Sequence, residues 1–349
     1  MSSTVGEVGE KRLLKMLERY LGKSKKVIRS FSEDCAVIDS GGDKYELMTV
    51  DVLIEGVHFR REYVPAYYVG RKGLKISLSD IFAMGGVPLY CLISLGIPPD
   101  TSVRMIEEIY DGLSSIAGEA KVVLAGGNVS SSPVLFLDVV LIGEVEKKSV
   151  LFRNRARPGD SIFVTGFLGS AGEGLKLLRD GFRLLGEKSE GLVMPTENHD
   201  SRYVREAILS HIDPPSLHRV ARALAKSHLV RSMIDLSDGV ASDLAEVCRE
   251  SNVGAVIEIG KLPISPAALY WERKRNSDPA SLALQGGEDY HLLLTCSQRN
   301  KKRLLEIASR SRFSLFEIGR IQEASEGMIV LDRERHKQPM GKGFEHFKR

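Results

Sequence analysis

The sequence predicts a mixed α/β or α+β protein of two domains, on three observations. Short apolar runs alternate with longer amphipathic segments along the whole chain, the order that strands and helices give when both build one architecture. A length of 349 residues is long for one hydrophobic core and suits two of ordinary size. Near residues 146–160 a basic stretch, "KKSVLFRNRARPGD", ends in the turn signal Pro158-Gly159 and marks a seam.

Period-two and continuous apolar runs place strands at "YELMTVDVLI", "LYCLISLGI", "KVVLAGG" and "VLFLDVVLIGEV" before the seam. After it they place strands at "SIFVTG", "SMIDLS", "GAVIEIG", "YHLLLTC" and "FSLFEIGRI". Apolar positions three and four apart place helices near 7–22, 66–84 and 102–119 in the first half. In the second half they fall near 170–180, 202–212, 216–228, 239–252, 265–275 and 299–311. The polar, turn-rich "GEKSEGLVMPTENHDS" (186–201) reads as an exposed loop.

Charge and composition exclude several classes. Forty-nine basic against 46 acidic side chains leave +3, which gives no argument for nucleic acid or an acidic membrane surface. No run reaches the roughly 18 apolar residues of a membrane span. The first helix is amphipathic and charged, and lacks the apolar core and cleavage site of a signal peptide. Cys35, Cys91, Cys248 and Cys296 are scattered, without CxxC or Cys/His spacing, and read as small apolar residues of a reducing cytoplasm.

Five stretches place acids or glycines beside apolar runs. Asp51 interrupts an apolar strand and Asp34 precedes "CAVI"; each is a cation ligand or a strand-end acid facing water. Asp80 lies among Leu74, Ile76, Leu78, Ile81, Phe82 and Met84 on a mostly buried helix, where a carboxylate needs a partner. "VLAGGNVSSSP" puts Gly126, Gly127 and Asn128 after a strand, a phosphate-approach loop or a plain turn. "MIDLSDGVASDL" runs a strand into a helix through Asp235, Ser237 and Asp238. Ser237 or Asp238 can cap that helix, worth about 1 kcal/mol, yet a cap does not need Asp235 as well. "LALQGGEDYHLLLTC" sets Glu288 and Asp289 before a strand. Together these acids fit clustered hard cations, meaning Mg²⁺, which commonly accompanies nucleotide phosphates.

These blocks, in this order, resemble the thiamine-monophosphate kinase family, within the superfamily of aminoimidazole ribonucleotide synthetase. "VDVLIEGVHF", "KISLSDIFAMGGVPLYCLISLGIP", "GGNVS", "RNRARPGDSIFVTGFLGSAGEGL", "MIDLSDGVASDL" and "LQGGEDYHLLLT" carry the resemblance over nearly the whole chain. It implies a two-domain PurM-like fold: an ATP/Mg-binding and dimerisation domain over 1–148 and an α/β domain over 149–349 that completes the site. The first domain's four-stranded sheet would pair with that of a second subunit in a barrel-like homodimer. The implied reaction is direct, in-line transfer of the γ-phosphoryl group of ATP to thiamine monophosphate. By matched position, the resemblance assigns Asp34, Thr49, Asp51, Asp80, Asn128, Asp235 and Asp238 to metal. It assigns Gly127, Asn128, Arg153 and Ser237 to ATP, and His58, Glu288 and Phe344 to the thiamine substrate.

The chain departs from the family pattern at four places. Asn128 stands where an aspartate is usual, so one metal is expected to bind more weakly. Val50 replaces a hydroxyl residue and is expected to remove one ligand. Ser32-Glu33 replaces Gly-Asp, and His291 stands where glutamate is common. Two other readings stay open: a superfamily ATPase with a changed substrate, and a non-catalytic nucleotide-binding paralogue.

Overall fold

A computed structural model describes residues 4–22, 24–186, 191–195 and 199–341. Strand alternation builds the first sheet, from β1 (Val27–Arg29), β2 (Ala36–Ile38), β3 (Lys44–Ile54), β4 (Val87–Ile97), β5 (Val123–Ser131) and β6 (Phe136–Glu146). Their spatial order is β1-β2-β3-β6-β4-β5, antiparallel except for the parallel β4/β5 pair. The four long strands are the expected ones, and two three-residue strands extend the sheet at the β3 edge. Along β3, Leu47 and Leu53 are sealed while Met48, Val50 and Val52 stay exposed, so one face meets the core and the other does not.

The N-terminal segment forms α1 (Val5–Val8) and α2 (Glu10–Leu17) rather than one helix. Gly9 divides them because it holds φ +75. Helices α3 (Ala66–Ala83) and α4 (Val103–Ala120) cover the inner face of the first sheet. They cross backbone to backbone: a β-carbon at Gly70 would lie 1.9 Å from the Ile109 carbonyl oxygen, and one at Gly112 equally close to that of Tyr67. Gly70→Ala must therefore push the helices apart and is expected to cost at least about 2 kcal/mol. Urea unfolding of the variant checks this, and an unchanged midpoint would contradict the close crossing.

The second sheet contains β7 (Ser161–Val164), β10 (Val230–Asp235), β11 (Val253–Glu258), β12 (Leu292–Cys296), β13 (Phe316–Glu323), β14 (Met328–Leu331) and β15 (Lys337–Pro339). Its order is β10-β12-β7-β13-β11-β14-β15, antiparallel except for β11/β14. Both faces are covered. Phe163, Met233 and Leu294 enter one core while Ile162, Ile234 and Leu293 enter the other, which is why these strands read as continuous apolar runs. A hairpin of β8 (Arg183–Leu185) and β9 (Gly191–Val193) stands apart, so part of the predicted 186–201 loop is a strand. The remaining helices are α5 (Ser170–Arg179), α6 (Ser201–Ile212), α7 (His218–Ser227), α8 (Val240–Ser251), α9 (Pro266–Lys274), α10 (Pro279–Gln285) and α11 (Lys301–Arg310).

Helix α3 is buried nearly throughout because it packs on β3 and β6 on one side and on β10, α6 and α7 on the other. It is the shared wall of the two halves. All four cysteines are buried and unpaired.

Candidate active site

Acids from both halves converge beside this wall. Asp34 precedes β2, Asp80 lies in the last turn of α3, and Asp235 is the last residue of β10. One carboxylate oxygen of each lies within 4.8 Å of the others. Hydroxyls orient two of them: Thr49 Oγ1 on β3 donates to Asp80 Oδ2, and Ser79 Oγ donates to Asp235 Oδ2 at 2.7 Å. Asp51, two residues along β3 on the same face as Thr49, has a buried Oδ2 with no hydrogen bond among the described residues.

So many carboxylates in one desolvated place resist ionisation together. Burial and then the charge of Asp34 push Asp235 up to about 8. Burial, countered in part by Ser77, pushes Asp51 up to about 6. Asp80 is raised well above its usual value by burial, then by Asp51, Asp235 and Asp34. Among the described residues, the one cation at the cluster is Arg153, whose guanidinium closes on both oxygens of Asp34, with Nε at 3.4 Å from Oδ2. Arg153 is held in turn through its backbone N–H, which donates to Glu33 Oε2 at 2.9 Å. An orphaned carboxylate oxygen beside three gathered ones is an oxygen-only donor set, which suits a hard divalent cation such as Mg²⁺.

The turn after β10 is built differently from the sequence expectation. Neither Ser237 nor Asp238 caps α8: the cap position is Gly239, at φ +99, with no side-chain cap. Asp243, inside the helix and 4% exposed, instead reaches back to accept the N–H groups of Asp238 (3.2 Å) and Gly239 (3.0 Å). Ser237 and Asp238 are thus released from capping at the turn that follows Asp235. Sequence reading missed Asp243 although it stands one helical turn past Gly239, because an acid near a helix start is usually solvated. Asp243→Ala leaves one buried and one half-buried N–H group without this acceptor and is expected to cost about 1–3 kcal/mol, read by denaturant unfolding. A variant as stable as the parent would show that the turn holds itself.

The "GGEDY" loop zips onto this turn. Glu288 N–H donates to the Ser237 carbonyl at 2.7 Å, and Tyr290 N–H to that of Leu236 at 2.8 Å. Gly287 is required here, since a β-carbon would stand 2.6 Å from the Ser237 oxygen. Asp289 is structural: its carboxylate accepts the N–H groups of Gly169 and Ala171 at the start of α5. Burial pushes His291 down to about 4, and its ring fills the space over Gly166. His58 lies in the turn beyond β3 and accepts the Ile54 N–H at Nδ1, 3.0 Å away.

Other predicted residues fall elsewhere. Asn128 pairs with Ser94 in the row of Asp138 and Val52, on the outer face of the sheet, opposite Thr49 and Asp51. Its amide donates to Ser130 Oγ at 3.2 Å, so within one chain it does not join the cluster. Gly127 precedes it, pressed against Ile93. Val50 is likewise on the outer face and 61% exposed, on the side that carries Asn128 and away from the three gathered carboxylates. The hydroxyl that reaches the cluster from β3 is that of Thr49, on the other face of the strand. Asp238 is not among the three gathered carboxylates. Phe344 lies outside the described residues.

Two mixed sheets sharing one helical wall, with acids from both meeting beside it, define a protein of the AIR synthase related class. The model of the AIR synthase related protein N-terminal domain matches residues 32–145, and that of the C-terminal domain matches 157–332. The thiamine-monophosphate kinase of Aquifex aeolicus is 33% identical over 98% of this chain and 99% of its own. That of Synechococcus elongatus is 31% identical over 99% and 98%. A solved structure of AaThiL complexed with AMPPCP and TMP superposes with a TM-score of 0.83 at 32% identity, covering 99% of both chains. The chain belongs to the thiamine-monophosphate kinase family.

Proposed function

We infer that this chain transfers the γ-phosphoryl group of ATP to thiamine monophosphate, giving thiamine diphosphate and ADP. The observation that carries the reading is the convergence of Asp34, Asp80 and Asp235 in a chain that matches, end to end, a relative solved with AMPPCP and TMP. Asp34, Asp51, Asp80 and Asp235 would hold Mg²⁺, with Thr49 and Ser79 orienting them and Asp238 at the rim. Bound there, the metal supplies charge neutralisation between two sets of phosphates that otherwise repel. Arg153 adds a delocalised cation whose fork suits phosphate oxygens. Ser237 and Gly127 are assigned to the nucleotide, and His58, Glu288 and Phe344 to the acceptor. The attacking oxygen belongs to a phosphate monoester with a second pKa near 6, so at neutral pH it needs little general base. No Ser-His-Asp or Cys-His arrangement is then required.

We assign the nucleotide, metal and dimer contacts chiefly to residues 1–148 and completion of the site to 149–349. The outer face of the first sheet leaves Met48, Val50, Val52, Tyr90, Leu92 and Val123 exposed, an apolar surface that a second copy would cover. Asn128 stands on that same face. The protein is expected to run as a homodimer in light scattering after gel filtration, and Val50→Glu with Leu92→Glu to run as a monomer.

Incubation with ATP, Mg²⁺ and thiamine monophosphate, followed by chromatography for thiamine diphosphate, tests the activity. Product formation supports the reading. ATP hydrolysis without thiamine diphosphate would point to a changed acceptor, and ATP binding without turnover to a non-catalytic paralogue.

A further inference from the structure

Helix α3 makes a second, unassigned contact with the C-terminal half, two turns before Asp80. Lys72 is 2% exposed, and its Nζ lies 2.8 Å from Glu288 Oε1. His211 Nδ1, in the last turn of α6, lies 3.0 Å from the other oxygen, Oε2. Against the burial that would raise it, Lys72 and then His211 hold the Glu288 carboxyl well below the usual range. Burial, then the charge of Lys72, lowers His211 against the pull of Glu288.

Its neighbours on the helix are committed elsewhere. Arg71 and Lys75 both meet Asp213, at 2.9 and 2.6 Å, and Arg71 also meets Glu119 at 2.7 Å. Glu288 itself sits at φ +66, a conformation that a residue with a side chain keeps only where its surroundings hold it. The same residue is zipped through its N–H to Ser237. One rigid helix therefore carries Asp80 into the acidic cluster and Lys72 onto Glu288, eight residues or about 12 Å apart along its axis.

We propose that Lys72 and His211 are positioning residues for the acceptor half of the site: they hold Glu288, and with it the loop of Gly286–Tyr290, at a separation from the acidic cluster that helix α3 sets. This rests on the functional reading above, in which Glu288 meets the acceptor, and adds the residues that place it. Lys72 and His211 are each 2% exposed, and the role assigned to them runs through Glu288.

The test is steady-state kinetics on Lys72→Met, His211→Gln, Glu288→Gln and the double variant Lys72→Met/Glu288→Gln, with thermal melting of each. Lys72→Met is expected to raise KM for thiamine monophosphate at least tenfold while KM for ATP stays within twofold. His211→Gln is expected to do the same to a smaller degree. In the Glu288→Gln background, Lys72→Met is expected to add less than a twofold change, because both substitutions break one contact. The double variant also removes the unpaired buried charge, so it keeps the test open if Lys72→Met alone fails to fold. Equal changes in both KM values, or full additivity of the two substitutions, would overturn the proposal. The wild-type rate with thiamine monophosphate tests the functional reading separately. Coupling between positions 72 and 288 in the melting temperatures tests the contact without any substrate.

Discussion

Asp235→Asn is expected to lower kcat by about 100-fold or more while leaving the melting temperature unchanged or higher. The side chain is 3% exposed and shares its neighbourhood with Asp34 and Asp80. Asparagine keeps the shape and can still accept the Ser79 hydroxyl, which bonds Oδ2 at 2.7 Å. What it loses is a negative charge that burial already penalises, as the rise of Asp235 to about 8 records. Removing that charge relieves repulsion in the metal-free fold, so stability does not suffer. The same charge is needed to hold cations against phosphates, and preorganised electrostatic groups of this kind are typically worth two to three orders of magnitude in rate. Activity within tenfold of the parent would show that the carboxylate cluster is not the reaction centre.

The second large effect is a pH dependence of stability that Mg²⁺ cancels. In the unfolded chain an aspartate titrates near 4. In the fold Asp51 rises to about 6, Asp235 to about 8, and Asp80 well above its usual value, burial being the first cause for each. Between these values the native state binds more protons than the unfolded state, so stability falls as pH rises. The contribution is fully present below about pH 4 and is lost as pH climbs through the folded values. In EDTA the melting temperature is expected to drop by on the order of 5 °C or more between pH 5 and 8. Added Mg²⁺ at pH 8 is expected to raise it again, because a cation stabilises the ionised cluster and binds the native state alone. Scanning fluorimetry across pH, with and without Mg²⁺, reads both arms. Superimposable curves would mean that the acids do not form a cation site.

The nine principal strands were legible because their apolar patterns are either alternating or continuous. Alternation in β3 and β6 reports one covered face, and continuity in β7, β10 and β12 reports two. The helix at 279–285 escaped notice because it spans only seven residues, with alanines and leucines that do not differentiate a face. Asp34, Asp51, Asp80 and Asp235 were legible for a different reason: a carboxylate inside an apolar run is costly unless something binds it.

Facing and reach were not legible. Whether Asn128 or Val50 can approach the acids depends on strand register, and the pairing of Asn128 with Ser94 puts it on the outer face. Lys72 looks like any lysine on an amphipathic helix until α6 and the 286–290 loop are folded over it. Asp243 looks like a solvated acid until the turn before it closes. The sequence by itself determined the elements, the acids that need a partner and the family, since composition, period and motif are local properties of the chain. Only the tertiary structure decided which three carboxylates share one place and which cations reach across from α3. Those choices are made by contacts between residues as far apart as Ser79 and Asp235, whose proximity no local pattern encodes.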